Sequence, residues 1–353
     1  MTPAFLSGLC RISLLFGILS VLGCESSALP ESVKRRSGTV VIESCALDPF
    51  QQSALLSDDA RAVVSDIVLL CLYIRDDVAT PTAPADRASV AQVVSLLRQR
   101  GYRVQLGVTT GEPTTLLPSK LDALLRDPAR RAVLSSSIAD AAKLADGIVI
   151  APPQLASSSE PAFRAWITEL AAMVPSRRVS LFAPPSTMTP SDIPGGDAIN
   201  VAALRDQLAQ VYLMTLDLHC CDGQPGPTTS ADWISQVAAF AQDAYPTSSL
   251  SITVPLYGTH FGSQNQRPVS YLEAVGIAGH EHIEIVRTND GTLRFDYQEA
   301  GGALAHVYFD DAQSTLQTLS QVDETVPNSV GVVYYGVGGE DPSLWRTLKE
   351  RMK

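Results

Sequence analysis

Much of the chemistry that short motifs announce is missing from this chain. No glycine-rich loop is built to cradle phosphate, no G-x-S-x-G turn presents a nucleophilic serine, and no Cys/His spacing fits a zinc site. None of the motifs present asks for a cofactor or a metal. Charge is sparse, at 18% of residues, and positive charge sparser still: 26 Lys and Arg against 37 Asp and Glu, a formal −11. Without a basic patch, nothing draws the chain to nucleic acid or to an anionic lipid surface, whereas a neutral or cationic partner is electrostatically acceptable. No internal repeat or low-complexity tract breaks the sequence. What is there is a 353-residue chain with 45% apolar residues, enough for one large folded core and too apolar for disorder.

The N-terminus reads as a processing signal. The apolar run from Ile12 to Gly23 follows Arg11, is too short for a comfortable membrane span and gives way to polar residues. It ends in Val21-Leu22-Gly23-Cys24, which resembles a bacterial lipobox; the resemblance implies cleavage before Cys24 and diacylation of that cysteine, enough for stable anchoring. The plainer alternative is an ordinary signal peptide with an incidental cysteine. Either way the chain is expected to be exported, and with the lipid it would sit on the periplasmic face or the cell surface. Residues 1–23 are then the signal and 24–38 a polar tether. With Cys10 in the signal and Cys24 as anchor set aside, four cysteines remain, Cys45, Cys71, Cys220 and Cys221, which allow two disulfides in three connectivities, and the sequence does not choose among them.

From Gly38 onward short apolar runs alternate with amphipathic stretches. Strands are expected at 39–45, 65–74, 102–108, 147–151, 178–183, 211–218, 250–257 and 330–337. Between them, helical spacing and breakers predict helices at 57–64, 86–100, 120–144 with a break at Asp127-Pro128, 160–173, 201–210, 231–244, 314–324 and 342–352. Eight strand–helix units make a (β/α)8 barrel, the α/β fold of about 250 residues whose sites sit at the C-terminal ends of the strands. One interval departs from the rhythm: three β-like runs, 282–286, 293–297 and 305–309, with a hairpin turn at Asn289-Asp290-Gly291. The barrel is therefore assigned to 39–258 and 310–353, with 259–309 as a small α+β insertion after strand seven.

The strand ends carry a resemblance. Leu144-Ala145-Asp146-Gly147 and the residues after it are similar to the fourth-strand DGxDxDxE of family 18 glycoside hydrolases, the chitinase-like barrels. Met214-Thr215-Leu216-Asp217-Leu218-His219 is similar to the sixth-strand MTYDFH, Val254-Pro255-Leu256-Tyr257-Gly258 to PxYG, Phe309-Asp310-Asp311 with Ser314 to YDDxxS, and Gly331 to Tyr335 to the eighth strand. Together these span roughly 39–347 in the family's order. In that family the final Glu protonates the leaving oxygen, and the Asp two before it orients the substrate's own N-acetyl group, which acts as nucleophile. Laid on this chain, the four acids fall on Asp146, Val149, Ala151 and Pro153, so only the first remains, and the sixth-strand tyrosine is Leu216. Valine, alanine and proline have no proton to give. The nearest polar substitutes are Gln154, which does not titrate, and Glu160 in the following loop.

The resemblance carries sugar-binding positions onto Asp217, Met214, Tyr257 and Tyr335, where a carboxylate would accept from hydroxyls and an aromatic face would stack on a ring; Met214, Tyr257 and Tyr335 equally suit plain barrel core, and Asp217 a structural hydrogen bond near the mouth. Asp146 reads as a cap before its strand. His280-Glu281-His282, taken as part of a strand, sets two histidines on one face; with no third ligand visible it reads as a solvated hairpin edge rather than a metal chelate. Three functions remain open. The chain is a non-hydrolytic binder of a β-linked N-acetylglucosamine glycan (chitin-like or peptidoglycan) or of a protein; or a glycoside hydrolase with a relocated acid, Asp217 or Glu160; or a scaffold lipoprotein with a plugged cleft.

Overall fold

Short apolar runs that form strands buried on both faces need helices to cover them. The computed structural model describes residues 38–75, 78–81, 86–110, 118–153, 155–174, 178–186, 202–219, 224–263 and 266–352. Cys24, Gln154, Cys220 and Cys221 lie outside these residues. In chain order the elements are β1 (Gly38–Ile42), α1 (Pro49–Leu55), α2 (Asp58–Val63), β2 (Asp66–Arg75), β3 (Val78–Pro81), α3 (Arg87–Gln99) and β4 (Arg103–Thr109). Then come α4 (Pro118–Arg126), α5 (Pro128–Ala141), β5 (Gly147–Ile150), α6 (Glu160–Met173), β6 (Val179–Ala183), β7 (Val211–Leu213), α7 (Ala231–Gln242) and β8 (Leu250–Pro255). The remainder is β9 (Tyr257–Phe261), β10 (Gln266–Ser270), α8 (Tyr271–Glu281), β11 (Val286–Arg287), β12 (Leu293–Gln298), β13 (Leu304–Phe309), α9 (Ala312–Thr325), β14 (Gly331–Tyr335) and α10 (Leu344–Arg351).

Eight parallel strands run β1-β14-β8-β7-β6-β5-β4-β2, and β1 pairs with β2 to close the ring. This is the (β/α)8 barrel expected from the alternation. Helix starts follow local chemistry: Ser57, Asp86, Asp127, Ser230 and Asp311 each accept from a backbone N–H of the first turn of α2, α3, α5, α7 and α9. Two apolar layers result. The larger lies between strands and helices, with Phe163 and Trp166 of α6 fully enclosed in it and Trp233 and Trp345 packed on the same layer. The smaller fills the barrel itself: Val41, Val68, Leu70, Val149, Phe182, Tyr212 and Val333. A second, antiparallel sheet, β10-β9-β13-β12-β11, follows β8, and α8 packs Ala274 and Ala278 with Val269, Phe295, Val307 and Phe309 into a core of its own.

Several expectations need correction. Within 201–210 the described residues hold only a short 3-10 turn at Ala202–Leu204, because Ala209 N–H donates to Val179 O and Gln210 O accepts from Leu181 N–H; ladder bonds to β6 win over helix. The strand expected over 211–218 stops at Leu213. The chain around His280 is helix, not strand: His280 and Glu281 end α8, and His282 is its left-handed cap at φ 56°. The helix forms because Ser270 caps it and its alanine face covers the second sheet, so the two histidines share no strand face. Among the described residues, no group of three metal-ligating side chains gathers. Helix α1, capped by Asp48, has no counterpart in the sequence reading. Of the open disulfide pairings, Cys45–Cys71 is formed, joining the segment after β1 to β2.

Candidate functional site

The C-terminal end of the barrel opens into a cleft of about 570 Å³, walled on one side by the strand ends and on the other by the second sheet. Barrel residues on it are Glu43, Met214, Leu216, Asp217, Tyr257 and Tyr335; Thr259, Gln266, Arg267 and Pro268 face them. All four side chains to which the resemblance assigned sugar contact therefore line one cavity.

Asp217 reaches it through a break in β7. Thr215, fully buried, donates its hydroxyl to Thr253 O at 2.6 Å and accepts from Thr253 N–H at 3.1 Å, so a side chain replaces the next rung of the ladder. The backbone then turns, and Asp217 adopts φ 58°, the left-handed region that aspartate tolerates better than most residues. Its carboxylate stands at the cleft surface, where Tyr257 Oη donates to Oδ1 at 2.9 Å. Burial pushes this carboxyl above the ordinary carboxylate range; the Tyr257 hydrogen bond opposes the rise and the charge of Glu43 adds to it.

Glu43 was missed by the sequence reading. It follows β1, and Tyr335 Oη donates to its Oε1 at 2.6 Å. The signal was available: Val41 points into the barrel, so the residue two further on faces the same way, at the end where barrel sites form. The Tyr257 and Tyr335 rings meet edge to face, centroids 6.5 Å apart at 64°, and join the two carboxylates through one aromatic corner. Burial first, then the neighbouring negative charges, push both phenols upward, so each keeps its proton and acts as donor. Gly336 turns the chain behind Tyr335 at φ 87°, and a Cβ there would press the Tyr257 ring at 3.0 Å.

The other family positions lie elsewhere. Val149 is in the barrel core, Ala151 packs on that same cluster, and Pro153 is partly buried in the loop after β5. Asp146 precedes β5 at the opposite, N-terminal mouth, beside Asp66, Arg103 and Arg178. It accepts from Val104 N–H at 2.9 Å and pairs with Arg98 at 2.8 Å; burial alone would raise its carboxyl, but these partners hold it below the ordinary range. It acts as a structural cap. Glu160 opens α6, pairs with Arg164 at 3.0 Å and is not among the residues of the cleft.

No family model matches the sequence. Over 148 residues the chain is 25% identical to YvbX, an uncharacterized glycosylase of Bacillus subtilis (strain 168), the match spanning 40% of this chain and 42% of that one. Among solved structures, the spore cortex-lytic enzyme SleL of Bacillus cereus superposes with a TM-score of 0.75 at 18% identity, over 90% of this chain and 75% of its own. A chitinase of Chromobacterium violaceum gives 0.76 at 15% identity, over 89% and 98%. The chain has the chitinase-type barrel fold that its strand-end motifs imply.

Proposed function

We propose that this chain binds a β-linked amino-sugar polymer, chitin-like or peptidoglycan, in the barrel cleft without cutting it. The observation that carries this reading is a contrast at one end of the barrel. An open cavity holds two tyrosines and two carboxylates, while the interior-facing positions on and just after β5 are Val149 and Ala151. Aromatic edges and acceptor oxygens suit a carbohydrate. Hydrolysis needs a proton donor near the scissile oxygen, and β5 offers none. The open cavity also speaks against a scaffold with a plugged cleft, and for a sugar over a flat protein surface.

A relocated acid remains the second reading, favoured by one observation: the raised Asp217 carboxyl next to Glu43. Both readings meet in one experiment. The full chain is titrated with chito-oligosaccharides and peptidoglycan fragments, and heat and released product are followed in the same samples. Saturable binding without product is expected, weakened about tenfold by Asp217→Ala, the scale of a lost charge-assisted hydrogen bond. Product that persists through purification and disappears in Asp217→Ala would instead establish the relocated acid. We also propose that the protein is exported and held at a membrane by lipid on Cys24, supported by the lipobox-like sequence; a chain that stays in the membrane fraction as Cys24→Ala would sink that part.

A further inference from the structure

The floor formed by Glu43, Asp217, Tyr257 and Tyr335 presents acceptors and no free donor; the donors of the cleft, Gln266 and Arg267, lie on the facing wall. A phenol has a single proton, and both tyrosines spend theirs inside the site, Tyr257 on Asp217 and Tyr335 on Glu43. What these four groups have left for a ligand is the second oxygen of each carboxylate and the lone pairs of two phenols. Neither carboxylate has a cation within ion-pair distance among the described residues; Arg267 on the facing wall is held by Glu273 at 2.8 Å.

Sugar substituents differ in how they meet such a floor. An acetamide brings one N–H and a carbonyl that needs a donor, which the floor cannot supply. A hydroxyl brings one donor. A protonated amine brings three donors and the opposite charge, and its hydrogen bonds to carboxylate are charge-assisted. We propose that the unit seated here is a de-N-acetylated glucosamine of the polymer, its ammonium held between Glu43 and Asp217. The assignment rests on the reading of this cleft as an amino-sugar site and says which amino sugar it selects. Burial is the main reason the Asp217 carboxyl is raised, with the charge of Glu43 adding to it, and a cation seated between the two would offset both.

The test compares two probes, the glucosamine tetrasaccharide and its fully N-acetylated counterpart, by calorimetric titration of the full chain at pH 7. The amine tetramer is expected to bind about tenfold tighter, as two charge-assisted hydrogen bonds allow. That preference is expected to fall to about threefold or less in Asp217→Asn and in Glu43→Gln. Asparagine tolerates the left-handed backbone at 217, and a cooperative melting transition no lower than that of the parent protein confirms that both variants fold. Equal or tighter binding of the acetylated tetramer overturns the amine assignment and leaves the cleft reading standing. A preference that survives in both variants also overturns it, because the acidic surface as a whole, not this pair, would then be attracting the amine. No heat from either sugar overturns both readings.

Discussion

At residue scale, Asp217 combines three costs: a left-handed backbone, partial removal of its carboxylate from water and a neighbouring Glu43. Such strain in a cleft is more readily understood as serving a ligand than as serving the fold. Because its folded-state pKa lies above the ordinary value near 3.8, the folded protein holds this proton more tightly than the unfolded chain does. The charged form therefore subtracts stability at neutral pH, and the subtraction fades as pH falls through the raised value toward 3.8. Asp217→Asn is expected to raise the melting temperature at pH 7, with a gain that shrinks toward pH 4. Thermal scans across that range check it; a variant less stable at pH 7 would show that the carboxylate serves the fold.

At the scale of elements, the site is held by how strands end. Strand β1 delivers Glu43, and two residues later Cys45 is joined to Cys71 in the middle of β2, both sulfurs buried. The bond closes a loop 26 residues apart in sequence and pins the segment that carries Glu43. Replacing both cysteines by alanine is expected to cost about 2–4 kcal/mol. It should also weaken oligosaccharide binding more than a stabilising surface change could restore, since the end of β1 is freed. Denaturant unfolding and the same calorimetric titration measure the two effects; full binding by the double variant would separate the disulfide from the site. The insertion takes part in the same way: after a bend at Leu256 the chain passes from β8 into β9, which begins at Tyr257 and places Thr259 across the cleft.

For the whole molecule, the absence of acids on β5 is built into the barrel core. Val149 is fully buried among Val41, Val68, Phe182 and Tyr212, so a carboxylate there would be desolvated with no partner. Val149→Asp is expected to destabilise the protein by about 3 kcal/mol or more, read as the shift of a urea midpoint; near-neutral stability would mean that the interior still admits charge and water. Alternation of apolar runs with capped amphipathic helices sufficed to determine the closed parallel barrel, because each unit is specified by local periodicity and by caps such as Ser57, Asp127 and Ser230 that act within one turn. The motif order likewise located Asp217, Tyr257 and Tyr335 at one end of it. Tertiary structure alone decided where β7 stops, since Thr215 answers to Thr253, 38 residues away; whether 201–210 is helix, since β6 claims its backbone; and that Glu43 and Tyr335, 292 residues apart, share a hydrogen bond. These depend on partners brought close only by ring closure, and no local pattern in the chain encodes them.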